Sequence, residues 1–199
     1  TLFTDLKDWP ARYETDGRRR AFAAVKVFHA FVAAVVRRHG GTLVKTSGEA
    51  VMASFMSPAA AVRAAADLQN RSGELRRAAP LGERLELRVG VSHGRVLRHD
   101  TLEGVDYFGN TVNAAARLMR RADGGGILLS ARLFADPEAK AILDEGRWES
   151  RRLALKGFQT PVEVYRFDAA SLETGPAPSL TAALRALGRA VLALLPRPG

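Results

Sequence analysis

Residues 105–118 read Val-Asp-Tyr-Phe-Gly-Asn-Thr-Val-Asn-Ala-Ala-Ala-Arg-Leu, a pattern that predicts a strand, a break at glycine and then a helix. Gly109 interrupts the extended segment, Asn110 is a candidate helix cap, and the alanine-rich run that follows favours helix. Asn113 and Arg117 would then lie one turn apart on one helix face. An amide and a guanidinium at the start of a helix suit the negative charge of a phosphoryl transfer, and a surface amide beside a solvated arginine fits the same pattern.

The composition limits the classes of protein to which this chain can belong. The 199 residues fit one domain, alone or with an appendage, and 47% of them are hydrophobic, which suffices for a core. The net charge of +9 would suit nucleic acid, acidic lipid or a polyphosphate ligand, but the arginines are spread along the chain, as simple compositional bias also produces. The absence of cysteine excludes disulfides and thiolate metal sites and favours a cytoplasmic location.

Two further expectations concern the chain's context. No stretch reaches ~18 uninterrupted apolar residues, so no membrane span is predicted, and membrane contact is not evident in the sequence. Residues 1–5 read as the middle of a strand, so we expect the chain to be a domain of a longer protein.

Hydrophobic spacing predicts an α+β fold. The order strand-helix-strand-strand-helix-strand is that of a ferredoxin-like βαββαβ core, here with an α/β extension and with helices covering one face of an antiparallel sheet. Residues 71–83 are predicted to be a polar surface linker, and 85–92 with 95–100 to form a hairpin around His93-Gly94. The other predicted elements are strands at 2–6, 42–46, 51–55, 127–130, 151–155 and 162–167, and helices at 18–39, 57–70, 110–118 and part of 131–143.

The last thirty residues differ from the rest. Residues 169–178 contain glycine and two prolines and are predicted to link a domain at 1–168 to a tail at 179–199. The tail carries a helix over 179–195 with a leucine-rich stripe. This helix is too short to span a membrane, and it would pack on the core, on a partner helix or on a lipid surface.

Two acidic residues suggest a metal site. Asp5 ends the first strand, and Glu49 lies on the turn of the hairpin formed by 42–46 and 51–55. Adjacent carboxylates bind hard cations such as Mg²⁺, and two such ions can hold a triphosphate. Alternatively, Asp5 caps a helix and Glu49 is an ordinary turn residue.

Five motifs, taken together, resemble the class III adenylate/guanylate cyclase catalytic domain, especially its bacterial members. The resemblance covers about residues 1–167 and leaves the tail out. The motifs are Phe3-Thr4-Asp5, the run from His39 to Met52, Arg88-Val89-Gly90-Val91, the stretch from Asp106 to Leu118, and Leu155-Lys156-Gly157.

The resemblance implies a role for each matching residue. Asp5 and Glu49 match the two metal-binding positions, and Leu6 would add its backbone carbonyl. Lys45 and Asp106 match the pair that reads the purine in adenylate cyclases. The remaining matches are Asn113 and Arg117 for the ribose and the transition state, Lys156 for the terminal phosphates, and Arg95 for a phosphate.

The implied activity is the conversion of ATP to 3′,5′-cyclic AMP and pyrophosphate for signal transduction. The ribose 3′-hydroxyl would attack the α-phosphorus with two Mg²⁺ or Mn²⁺ ions per site. In the family the metal carboxylates come from one chain and the other residues from its partner, which implies a homodimer with two sites. A nucleic-acid-binding module is disfavoured, because aromatic stacking residues are missing from strands 44–46 and 87–91.

Two departures from the family pattern support an alternative function. Glu49 stands where the family has aspartate, and its extra methylene moves the carboxylate by roughly 1 Å. The loop after Asp5 reads Lys7-Asp8-Trp9-Pro10 instead of a glycine-containing turn, although Trp9 would serve as an anchor in the core. The alternative is therefore an impaired cyclase fold that binds nucleotide, regulates, or supplies half of a heterodimer with another cyclase chain.

Overall fold

The computed structural model describes residues 1–15, 17–102, 104–173 and 175–195, apart from the side chains of residues 10, 12 and 13. The strands are β1 (Leu2–Leu6), β2 (Thr42–Ser47), β3 (Ala50–Ser54), β4 (Leu87–Val91), β5 (Leu97–Thr101), β6 (Gly104–Phe108), β7 (Ile127–Ser130), β8 (Arg147–Leu153) and β9 (Val162–Asp168). The helices are α1 (Trp9–Thr15), α2 (Arg18–Arg38), α3 (Pro58–Asn70), α4 (Ser72–Ala78), α5 (Asn110–Arg121), α6 (Pro137–Glu145) and α7 (Thr181–Leu194).

The main sheet confirms the predicted α+β class and its ferredoxin-like core. Its strand order is β2-β3-β1-β4-β7-β9-β8, and the first four strands pair antiparallel. The extension adds β7 parallel to β4, and then β9 and β8 antiparallel. Helices α2 and α3 cover one face, whereas α5 packs on β1, β4 and β7. Gly90 of β4 meets α5, while its neighbours Val89 and Val91 belong to the core under α2 and α3, so α5 covers the opposite face. The expectation of helices on one face only was wrong.

The predicted hairpin of 85–92 with 95–100 was also wrong. β4 pairs with β1 and β7, and β5 pairs with β6 in a separate two-stranded sheet, with Leu97 opposite Phe108. The reason is burial: Leu87, Val89 and Val91 are at most 1% exposed, so β4 belongs in the centre of a sheet. Every residue of β5 is exposed.

The predicted linker at 71–83 is largely helical. It contains α4 and a 3-10 turn at Gly82–Arg84. Ser72, Leu75 and Ala78 are buried at intervals of three residues, while Arg76 and Arg77 are exposed. This short buried stripe is helical because α2 and α7 pack against it.

Helix starts were predicted with mixed success. The Ser57 Oγ accepts a hydrogen bond from the Ala60 N–H at 3.3 Å, which confirms the predicted cap of α3. At α5 the cap is Gly109 rather than Asn110. Its φ of 126° lies in the region that favours glycine, so the chain turns one residue earlier than expected.

Helix α7 packs on the domain, against α2 and α4, which selects one of the three predicted surfaces. Leu184 and Gly188 are its buried residues. The Arg19 guanidinium donates to the carbonyls of Leu192 and Leu195 at 2.7 and 2.8 Å, which satisfies acceptors at the helix end. Residues 196–199 of the predicted tail lie outside the described residues. In the described part of the chain, no helix combines the length and apolar character needed to cross a bilayer.

We predict that the close contact between α5 and β4 makes Gly90 irreplaceable. A Cβ at this position would collide with the Ala115 carbonyl oxygen and the Met119 amide nitrogen, both backbone atoms that cannot move alone. Gly90→Ala should therefore lower the free energy of unfolding by about 2 kcal/mol or more in urea titrations followed by circular dichroism.

The matched control is Gly73→Ala in α4. Its new Cβ would meet only the flexible end of Arg77, at 3.2 Å. Alanine favours helix over glycine, so this variant should gain about 0.5–1 kcal/mol. Equal effects of the two substitutions would contradict the packing argument.

Candidate active site

The first group of predicted residues forms around an ion pair between β1 and β4. Asp5 and Arg88 lie directly opposite each other in the antiparallel register. The Arg88 Nε donates to Asp5 Oδ1 at 2.8 Å and Nη2 donates to Oδ2 at 2.7 Å, so the guanidinium engages both carboxylate oxygens. The two side chains are only 5% and 19% exposed. Such a bidentate, partly buried pair is strong.

Further negative charge surrounds Arg88. Its pKa is raised first by the hydrogen bonds to Asp5 and then by the charges of Asp5, Asp8 and Glu49. Glu49 is half-buried at the β2–β3 turn. The register of β1 with β3 ends at Thr4 opposite Val51, so Glu49, on the turn before β3, lies towards the Leu6 end of β1. The predicted metal ligands therefore share one end of β1.

The donor set of this group fits a hard divalent cation. Asp5, Asp8, Glu49 and the Leu6 carbonyl offer only oxygen atoms, which Mg²⁺ and Mn²⁺ prefer. In the described residues, no three histidine, aspartate or glutamate side chains converge on one point as a self-sufficient metal site. Magnesium commonly completes its coordination with substrate phosphates, so two carboxylates suffice for a shared site.

The conformation of the loop after Asp5 is explained by its own residues. Asp8 has φ of 55°, a left-handed conformation that favours glycine and that aspartate also tolerates. Trp9 is 4% exposed and belongs to the core, as the anchoring alternative expected. The loop is therefore a fixed turn that leads into α1. The side chain of Pro10, also singled out in the sequence, lies outside the described residues.

The second group is a pair from β2 and β6. The Lys45 Nζ donates to Asp106 Oδ2 at 2.5 Å, and it lies 5.7 Å from the centre of the Phe108 ring. The other oxygen, Asp106 Oδ1, accepts from the Tyr107 N–H at 2.8 Å. The hydrogen bond from Lys45 lowers the pKa of Asp106, which keeps this carboxylate ionised. A donor and an acceptor thus lie side by side, 61 residues apart in sequence.

The third group lies on α5 and the loop after β8. Buried residues of α5 face the sheet, and Asn113 projects on the exposed side. The Arg117 guanidinium lies 5.4 Å from the centre of the Phe158 ring and beside Gly157, whose φ of 79° lets the loop approach it. Lys156 is exposed in the same loop. Arg117 and Lys156 are therefore held by one structural unit.

Arg95 lies near the third group. It lines a pocket of about 630 Å³ together with Arg132 and Phe158, and its carbonyl accepts from Thr111 Oγ1 at 2.8 Å. Arg88, which the sequence analysis quoted only as part of a motif, is the arginine at the carboxylates. Its place follows from the pairing of β1 with β4, which residue spacing does not reveal. Among the described residues, no hydrogen bond or ion pair joins the three groups.

Comparison with known proteins decides the family. The family model described as the adenylate and guanylate cyclase catalytic domain matches residues 1–153. The chain belongs to this family. This cyclase domain is 39% identical over 163 residues to an uncharacterized protein of Mycobacterium tuberculosis, an alignment that covers 82% of this chain and 39% of the relative.

Solved structures share the fold. Adenylate cyclases from Trypanosoma brucei, analysed in their monomeric state, match the cyclase domain with a TM-score of 0.70 and 26% identity, covering 88% of this chain and 89% of the other. The guanylyl cyclase Cya2 matches with a TM-score of 0.72 and 20% identity, covering 83% of this chain and 89% of the other. The fold therefore serves both kinds of cyclase.

We predict that Lys45 controls the ionisation of Asp106 in this cyclase domain. Lys45→Ala removes the hydrogen bond that lowers the pKa of Asp106, so that pKa should rise towards its ordinary value in carboxyl NMR titrations. Because the folded-state pKa lies below the unfolded one, the pair stabilises the fold at neutral pH, and this contribution is lost as the pH falls through the folded-state pKa.

The matched control is Lys140→Ala, which removes an exposed lysine paired with Asp144 on α6. This variant should leave the titration of Asp106 unchanged. An Asp106 titration curve that is the same in Lys45→Ala and in the unmodified protein would contradict the prediction.

Proposed function

We propose that this cyclase domain converts ATP to 3′,5′-cyclic AMP and pyrophosphate, at a site composed from two copies of the chain. The observation that carries the proposal is the Lys45–Asp106 pair. Adenine presents a ring nitrogen that accepts a hydrogen bond beside an amino group that donates one, and a lysine next to an aspartate complements that edge. The resemblance to adenylate cyclases assigns these same two positions to the purine.

The neighbouring proteins support the choice of ATP in part. The Trypanosoma brucei structures at 26% identity are described as adenylate cyclases, and an adenylate cyclase of Mycosarcoma maydis is 31% identical over 153 residues. That alignment covers 65% of this chain and 6% of the relative. The choice of purine therefore depends on Lys45 and Asp106 themselves.

The first group of residues, around Asp5, would hold the divalent metal ions. Asp5, Glu49 and the Leu6 carbonyl are the proposed ligands, and two Mg²⁺ or Mn²⁺ ions per site follow from the family resemblance. When bound, such ions neutralise phosphate charge and activate the attacking hydroxyl. The longer side chain of Glu49 is compatible with this role, because it lies on the β2–β3 turn, outside the paired strands.

The residues of α5 would act on the reacting atoms. Asn113 would orient the ribose so that its 3′-oxygen forms a bond to the α-phosphorus as the bond to pyrophosphate breaks. Arg117 is charged at every physiological pH, so it can stabilise the negative charge that develops at that phosphorus. Phe158 holds its guanidinium in place, and Lys156, from the same loop, would contact the terminal phosphates.

A homodimer is supported by exposed apolar side chains. Leu97 is 72% exposed, Leu102 is fully exposed and Phe108 is 49% exposed, all on or between β5 and β6. Exposed apolar side chains on one hairpin indicate an interface with another protein surface. Since Asp106 lies on the same hairpin, an interface there would bring a second chain to the purine pair.

We predict that the purified domain forms cyclic AMP from ATP, and much less cyclic GMP from GTP, when assayed with Mg²⁺ and with Mn²⁺ and analysed by mass. Arg117→Ala should lower kcat by about 10²–10³-fold, because it removes one transition-state interaction. Asp5→Ala should abolish turnover.

The control is Arg120→Ala, which removes an exposed arginine one turn further along α5 and should leave turnover unchanged. If neither metal supports product formation and Glu49→Asp does not restore it, the cyclase proposal fails. The alternative of a nucleotide-binding module or heterodimer half then takes its place.

A further inference from the structure

We propose that Arg88 occupies the metal-binding carboxylate until substrate arrives, so that the free enzyme binds divalent cations weakly. This inference rests on the proposed metal role of Asp5. Both Asp5 oxygens accept hydrogen bonds from the Arg88 guanidinium, at 2.8 and 2.7 Å. A metal ion at Asp5 must share or replace those contacts.

The position of Arg88 makes the competition direct. The two residues face each other across adjacent strands, so their backbones are fixed by the β1–β4 ladder. The Asp5 side chain is 5% exposed, so water solvates its carboxylate only slightly. The partly buried carboxylate therefore needs a positive partner, and Arg88 supplies it when no metal does.

Surrounding charges strengthen this arrangement. Asp8 and Glu49 also attract the Arg88 guanidinium, so the charges of three carboxylates act on this one arginine. A divalent ion would be drawn to the same carboxylates. Arg88 and the metal ion therefore compete for the same carboxylates, and each lowers the affinity of these carboxylates for the other.

A polyanionic substrate would shift the balance towards the metal. Phosphate oxygens bring negative charge that can accept hydrogen bonds from Arg88 while also coordinating the metal. The structure thus favours an order of binding in which nucleotide and metal arrive together. Tight binding of metal alone, which would load the carboxylates without substrate, is suppressed.

The test measures Mn²⁺ binding to the full chain without nucleotide, using the electron paramagnetic resonance signal of free Mn²⁺. Arg88→Gln should bind Mn²⁺ about tenfold more tightly than the unmodified protein, the scale expected for removal of one charge-assisted pair. Addition of Asp5→Asn to this variant should cancel the gain. The matched control Arg147→Gln, which breaks an exposed pair with Asp168 at 3.0 Å, should change nothing.

Folding provides a second measurement. Arg88→Gln leaves the Asp5 carboxylate without its partner, so this variant should melt earlier in chelator and regain more thermal stability from Mn²⁺ than the unmodified protein does. If Arg88→Gln does not fold, Arg88→Lys keeps the charge but loses the bidentate contact, and its Mn²⁺ affinity should still rise.

Mn²⁺ affinities that agree within twofold for the unmodified protein and the folded Arg88 variants would overturn the inference, and so would undetectable binding in all of them. Because the readout is metal binding, it is separate from catalysis. If the protein forms no cyclic nucleotide but Arg88→Gln binds Mn²⁺ more tightly, this inference stands although the proposed activity fails. If the enzyme is active but the Arg88 variants bind Mn²⁺ no more tightly, only this inference fails.

Discussion

The contact of α5 with Gly90 is the constraint on which the rest of the site depends. A helix can lie this close to a central strand only where the strand has no side chain. The contact fixes the height of α5 over the sheet and directs its buried stripe inward. Asn113 and Arg117 consequently lie outside this buried stripe, and Arg117 contacts the loop that carries Lys156. A single glycine in the sheet thus positions the proposed transition-state residues.

Charge organises the other half of the site. The end of β1 gathers Asp5, Asp8 and Glu49, and such a concentration is unfavourable without a nearby cation. Arg88 provides that cation in the protein alone, and metal ions are proposed to provide it during turnover. The same reasoning explains why Lys45 and Asp106 contact each other: each supplies the countercharge of the other.

The sequence was sufficient to predict elements that depend on residues close together in the chain. The β2–β3 hairpin, α2 and the Ser57 cap of α3 were predicted because their signals lie within a few residues. Most of the candidate site residues came from motif resemblance. The Lys45–Asp106 contact is consistent with the pairing that this resemblance implied, and the roles of the individual residues stay predictions.

Features that depend on distant packing were missed. The pairing of β5 with β6 depends on which strand occupies the centre of the main sheet. Helix α4 is helical because α2 and α7 cover its three buried residues. Arg88 was overlooked because cross-strand register, not spacing along the chain, places it at Asp5. The leucine stripe of α7 likewise did not predict which surface this helix packs on.

The central claim is that two copies of the chain build each active site, and a mixing experiment tests it most directly. Asp5→Ala should be inactive alone and Arg117→Ala should retain only about 0.1–1% of the unmodified activity, because every site in either homodimer lacks one essential residue. When the two variants are mixed and allowed to exchange, mixed dimers contain one intact site, and cyclic AMP formation should return to about a quarter of the unmodified level. A mixture that forms mixed dimers and stays inactive would contradict the account.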